Sequence, residues 1–172
     1  LSYDGLQVSE GIFAPTIRYN PHNDTFYVIT TCVECGGNFI VKSKDPESGE
    51  WSEPIWIPEV GGIDPSLFFD DDGSAYIINN DEPIGEARYD GHRALWMHRF
   101  DTKTDRVVGN AWVVVDGGIH PEENPVWIEG PHIYKIDGKY IIMAAEGGTS
   151  VNHSEVILVS DSPEGPYTPA PI

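Results

Sequence analysis

Short runs of apolar and β-branched residues recur along the chain, each bounded by Gly, Pro, Asn or Asp, and helical periodicity is hard to find. These runs predict strands in three sets. The first set covers 16–19, 25–31, 39–43 and 55–57; the second covers 66–69, 75–79, 94–100 and 112–115. The third covers 132–135, 139–144 and 155–159 and breaks off near Tyr167. Asp72-Gly73 and Asp137-Gly138 stand where hairpins should reverse, since glycine accepts the positive φ of a tight turn.

The three sets resemble one another. Each opens with one residue, then Pro, then an apolar strand: Ala14-Pro15-Thr16-Ile17, Asp64-Pro65-Ser66-Leu67, Gly130-Pro131-His132-Ile133. The prolines recur at intervals of 50 residues (15 to 65) and 66 (65 to 131). A turn and an aromatic strand follow, with Tyr27, Tyr76 and Tyr140, and the run from Lys44 to Pro54 echoes the run from Asp161 to Pro169. About four strands repeated at 50 or more residues is the signature of propeller blades. The pattern therefore predicts an all-β fold, a β-propeller, with blades at about 11–58, 62–116 and 127–172 in a single domain, 1–172. Closed propellers have about four to eight blades. Three blades leave the ring open, and Leu1 begins in mid-pattern, so the expectation is a partial propeller from a longer protein.

Composition narrows the partners. The 172 residues are 40% apolar and carry a net charge of −18. Phosphates would be repelled, so neither nucleic acid nor an anionic membrane is expected as a partner, and a neutral ligand such as a sugar suits the surface. No stretch reaches the roughly 18 apolar residues of a membrane span, and no secretory signal opens the chain. Cys32 and Cys35 form a C-x-x-C in strand-and-turn surroundings without a second ligand pair, and are expected to be ordinary thiols. Asn23-Asp24-Thr25 and Asn152-His153-Ser154 match glycosylation sequons, which matter only in a secretory setting.

Two carboxylates draw attention because of where they stand. In a propeller the innermost strands begin near the axis, where ligands bind, so the residues before each first strand converge. These residues are Phe13-Ala14, Asp64 and Glu129, and Asp64 and Glu129 are expected to share one repeat position, each beside a Pro-containing break that restrains the backbone. Each acid alone reads equally as a turn-capping or solvated residue. Paired carboxylates are also the usual tools of glycosidic bond hydrolysis. Asp70-Asp71-Asp72-Gly73 lacks the ligand spacing of an EF-hand and reads as a hairpin turn, so no metal site is expected. His153, in the small-residue stretch after Glu146, suits either a ligand loop or a structural role. Arg93 could hold a carboxylate or a sugar hydroxyl, or simply lie on a surface loop.

Four phrases together resemble glycoside hydrolase family 43, whose best-known members are β-xylosidases and α-L-arabinofuranosidases. They are Gly11-Ile12-Phe13-Ala14-Pro15-Thr16-Ile17-Arg18-Tyr19, Ile63-Asp64-Pro65-Ser66-Leu67-Phe68, Glu129-Gly130-Pro131-His132-Ile133-Tyr134-Lys135 and Ala145-Glu146-Gly147-Gly148-Thr149. The resemblance implies a five-bladed propeller of which the second to fourth blades are present, the first and fifth being absent. It implies an inverting glycosidase acting on terminal xylose or arabinose of hemicellulose oligosaccharides. Glu129 matches its general acid, and Asp64 matches the acid that orients that group and tunes its pKa. The general base belongs to a first-blade motif and is carried over to no residue here, so these residues alone are expected to be inactive. Phe13 stands where the family commonly has Trp, as a wall beside the sugar, and Thr149 and His153 match a loop near the pocket. The resemblance requires no cofactor for the chemistry and allows a structural calcium at the axis of the whole protein. The competing reading is a sugar-binding propeller, or an inactive homologue, without hydrolysis. Oligomeric state and compartment stay open.

Overall fold

The structure is a computed structural model that describes residues 10–171; residues 1–9 and 172 of the expected domain lie outside the described residues. Twelve strands form three four-stranded antiparallel sheets, one after another along the chain. The first sheet is β1 (Ile12–Asn20), β2 (Thr25–Cys32), β3 (Gly37–Ser43) and β4 (Ile55–Trp56), in that order. The second is β5 (Ile63–Phe69), β6 (Ala75–Asp81), β7 (Ala94–Asp101) and β8 (Arg106–Asp116). The third is β9 (Glu129–Ile136), β10 (Lys139–Glu146), β11 (Ser154–Ser160) and β12 (Thr168–Pro169). Among the described residues the only helical segments are two three-residue 3₁₀ turns, and no helix is long and apolar enough to cross a membrane.

The sheets stack face to face through their first strands, β1 on β5 and β5 on β9. The middle sheet is therefore covered on both sides, and adjacent residues serve different cores. Leu67 and Ile77 pack with Tyr27, Ile29 and Ile40 of the first sheet. Their neighbours Phe68, Tyr76 and Ile78 pack with Ile133, Ile142 and Leu158 of the third. This explains why 75–80 is buried without interruption, whereas β11, with one face open, alternates. The outward faces of the first and third sheets keep apolar side chains exposed, among them Ile17, Tyr19, Ile136 and Ile157.

A repeated hydrogen bond joins the sheets beside the prolines. Thr16 Oγ1 donates to the Pro65 carbonyl at 3.3 Å, and Ser66 Oγ to the Pro131 carbonyl at 2.6 Å. His132 holds the same place in the third sheet; its Nδ1 lies 3.0 Å from Arg18 Nη2 of β1, on the far side of β5.

The predicted reversal at Asp70-Asp71-Asp72-Gly73 is a turn, closed by Gly73 N donating to the Asp70 carbonyl at 3.0 Å. Its first carboxylate does more than turn the chain. Asp70 is buried and accepts hydrogen bonds from Lys135 Nζ at 2.7 Å and Tyr140 Oη at 2.6 Å, both in the third sheet. Burial alone would raise its pKa, but the Lys135, Tyr140 and Asp71 hydrogen bonds outweigh it and hold the carboxyl below its ordinary range. A depressed folded pKa stabilises the fold above the unfolded pKa, and that stability is lost as pH falls through the folded value. Asp70→Asn is expected to cost about 1–3 kcal/mol at neutral pH and to flatten the loss of stability below about pH 4. Denaturant unfolding at several pH values measures both, and an unchanged midpoint at neutral pH would remove the bridge from the list of stabilising contacts.

The expectation of ordinary thiols is corrected. Cys32 and Cys35 are joined in a disulfide, with Cα atoms 5.2 Å apart, because the turn between β2 and β3 folds back within bridging distance.

Candidate active site

The site grows from a defect that all three first strands share. Phe13 pairs with Thr31 and the next pair is Thr16 with Ile29; Ile63 pairs with Asn80 and the next is Ser66 with Ile78. In the third sheet Glu129 pairs with Ala145, and His132 with Met143. Two residues therefore oppose one at Ala14-Pro15, Asp64-Pro65 and Gly130-Pro131, a β-bulge that re-aims the side chains around it. The first residue of each bulge has a left-handed backbone, with φ of 41° at Ala14, 55° at Asp64 and 59° at Gly130. Proline at the second position cannot donate to the ladder, which favours the break.

This register corrects the expected equivalence of the two acids. Asp64 is equivalent to Ala14 and Gly130, whereas Glu129 is equivalent to Phe13 and Ile63. The acids also lie inside β5 and β9, not before them. The one-residue offset gives them different jobs. Asp64, at the bulge, points across to the third sheet and accepts a hydrogen bond from Gly130 N at 3.1 Å. That amide belongs to the peptide directly after Glu129, so the backbone carrying Glu129 is tied to the Asp64 carboxylate.

Glu129 is half-buried and lines a cavity of about 260 Å³ with Ile63, Asn80, Arg93 and Trp127. Burial raises its pKa, and the Asp64 charge raises it further, opposed by His153 and Arg93. Burial likewise raises the pKa of Asp64, opposed by the Gly130 amide, Arg93 and the Asn80 side chain. A carboxyl that holds its proton above the ordinary range, with a second carboxylate beside it, is equipped to donate that proton to a bound molecule.

Arg93 is half-buried at the end of the loop that leads into β7. Its Nε donates to Asn80 Oδ1 at 2.9 Å, and its Nη1 pairs with Glu82. Asn80 is buried and directly opposite Ile63, so the chain Glu82, Arg93, Asn80 reaches the Asp64 bulge from behind. The other expected site residues are not gathered in this cavity. Phe13 is half-buried on the first sheet, where its carbonyl accepts from Thr30 Oγ1 at 2.6 Å. Thr149 is exposed on the loop after β10, and His153 Nδ1 lies 2.7 Å from the Gly148 carbonyl across that loop.

Asn80, Glu82 and Trp127 were not among the expected site residues. The polar run Asn79-Asn80-Asp81 ending an apolar strand was one available signal. The alternation Trp127-Ile128-Glu129 was another: Ile128 is buried on the core side, which leaves Trp127 and Glu129 together on the other. Among the described residues no three His, Cys, Asp or Glu side chains converge as a metal site. Where β1 and β9 approach, the paired groups are a guanidinium and an imidazole, a poor environment for calcium, which favours oxygen ligands.

The model of glycosyl hydrolases family 43 matches residues 1–172. A xylosidase/arabinosidase of Butyrivibrio fibrisolvens is 46% identical over 149 residues, 86% of this chain and 28% of that protein. A non-reducing end α-L-arabinofuranosidase of Bacteroides ovatus is 39% identical over 167 residues, covering 94% of this chain and 28% of that protein. The chain thus spans less than a third of the length of these relatives. A crystal structure of a GH43_12 retrieved from capybara gut metagenome superposes with a TM-score of 0.90 at 50% identity, over 96% of this chain and 31% of that one.

Proposed function

The chain belongs to glycosyl hydrolase family 43, and from that premise we propose that it supplies the acid half of an inverting glycosidase. The enzyme would remove terminal xylose or arabinose from hemicellulose oligosaccharides. The observation that carries this reading is the tie between the acids: Asp64 holds the Gly130 amide beside a Glu129 whose pKa is raised by burial and by the Asp64 charge. The substrate class comes from the relatives named xylosidase/arabinosidase and α-L-arabinofuranosidase.

In this mechanism Glu129 protonates the glycosidic oxygen as the bond breaks, which avoids expelling an alkoxide. The Asp64 carboxylate, held by the Gly130 amide, raises the Glu129 pKa on top of burial and fixes its backbone. A water on the opposite face of the sugar attacks the anomeric carbon, activated by a base about 6.5–9.5 Å from the acid. The family places that base in a first-blade motif, so we assign it to no residue here, and the 172 residues alone should lack turnover. The ring would be five-bladed, with these three sheets as its second to fourth blades. The exposed apolar residues on the outward faces, Ile17 and Tyr19 on one side and Ile136 and Ile157 on the other, support flanking blades that would cover them. The acid–base steps call on no cofactor.

Proton NMR of the first product released by the full-length protein tests the mechanism. The expected product has the anomeric configuration opposite to that of the substrate, before mutarotation. A product of retained configuration would reject inversion and the separate water-activating base with it.

A further inference from the structure

Trp127 lies on the wall of the Glu129 cavity with its side chain partly in solvent and its backbone at φ 49°. A bulky residue in the left-handed region persists only when its surroundings hold it there, and such strain gathers at ligand-binding sites. The surroundings here are two loops from different sheets. Trp127 N donates to the Gly91 carbonyl at 2.8 Å, and Gly147 N donates to the Val126 carbonyl at 2.8 Å. Both loops lie against the Val126-Trp127 segment, and the one at Gly91 is too close to Val126 for a side chain. A Cβ at Gly91 would come within 2.9 Å of Val126 Cγ1 and 3.4 Å of Trp127 Nε1, and one at Gly148 would lie 3.4 Å from Trp127 Cε3. The ring is thus held in place, yet 44% of the residue remains exposed beside the acid.

We infer that Trp127 is the stacking platform for the sugar on the leaving-group side of the scissile bond, receiving the apolar C–H face of that ring. The inference rests on the glycosidase reading and names a subsite within it. Glu129 must point at the glycosidic oxygen, the atom between the two sugars. Asp64 lies at the bulge of β5, on the side of the acid that this reading gives to the terminal pentose, the sugar whose anomeric carbon water attacks. Trp127 precedes β9 and lines the Glu129 cavity, whose wall does not include Asp64, and we set its ring on the opposite side of that oxygen. A rigid aromatic face offers large contact area at little cost in side-chain freedom, and a ring that is wet in the free protein sheds that water when covered.

The test compares the full-length wild type with Trp127→Ala and Trp127→Phe on two substrates, a pentose disaccharide and the corresponding pentosyl fluoride, whose leaving group has no ring to stack. Trp127→Ala is expected to lower kcat/KM on the disaccharide about 10- to 100-fold, mainly through KM, and on the fluoride about threefold or less. Trp127→Phe, which keeps an aromatic face, is expected to recover most of the loss. Equal losses on both substrates would overturn the inference, because the ring would then be supporting Glu129 or the terminal pentose that both substrates share. An unchanged KM for the disaccharide would overturn it as well. A wild type inactive on both substrates would overturn the glycosidase reading together with this one, whereas an active wild type with an indifferent Trp127→Ala would overturn the subsite alone.

Discussion

Glu129→Gln in the full-length protein is expected to lower kcat on xylobiose or an arabinoside by about a hundred- to ten-thousand-fold. Glutamine keeps the size of the side chain and its place between Ile128 and Gly130 but carries no proton to give. The loss should depend on the leaving group. A sugar alkoxide needs protonation, whereas a dinitrophenolate leaves unaided, so an aryl glycoside of that kind should retain much of its rate. A plot of log kcat against leaving-group pKa, shallow in the wild type and steep in the variant, would locate the proton donor. Near wild-type activity on the disaccharide would show that Glu129 is not the acid.

Asp64→Asn is the second large effect, and its direction follows from the charges. The pKa of Glu129 is raised by burial and then by the Asp64 carboxylate. Asparagine removes the charge but keeps an oxygen that Gly130 N can still reach, so the backbone tie is largely preserved. Burial remains, the repulsion is gone, and the Glu129 pKa falls. The alkaline limb of the kcat/KM profile reports deprotonation of the acid, so it is expected to move to lower pH. At neutral pH a smaller fraction of the enzyme then carries the proton, and activity drops by about 10- to 100-fold. An alkaline limb that stays in place, or moves upward, would show that Asp64 acts without tuning its neighbour.

The disulfide and the bulge offset show how sequence reading went astray at particular residues. Cys32 and Cys35 looked like ordinary thiols because their spacing says nothing about whether the intervening turn folds back; the turn brings their Cα atoms to 5.2 Å. Asp64 and Glu129 looked equivalent because both stand near a proline. The ladder counts residues from the pairing partner instead, and by that count Glu129 stands one position earlier than Asp64 in the repeat. Asp70 was legible as a turn residue and not as an inter-sheet bridge, since Lys135 and Tyr140 lie 65 and 70 residues away in sequence.

The amino-acid sequence by itself marked eleven of the twelve strands, though not their full lengths, and their grouping into three repeats. Those features rest on local terms: side-chain alternation, β-branched content, Asp-Gly reversals and the recurring proline, each acting within a few residues. It also marked Asp64 and Glu129 as acids in repeated settings. Only the tertiary structure decided that the middle sheet is buried on both faces, and that a bulge turns Asp64 toward the Glu129 backbone. It alone brought Asn80, Arg93 and Trp127 around that carboxyl. Burial, charge repulsion and shape complementarity depend on distance through space, and strands 50 or more residues apart come within that distance only when the sheets stack.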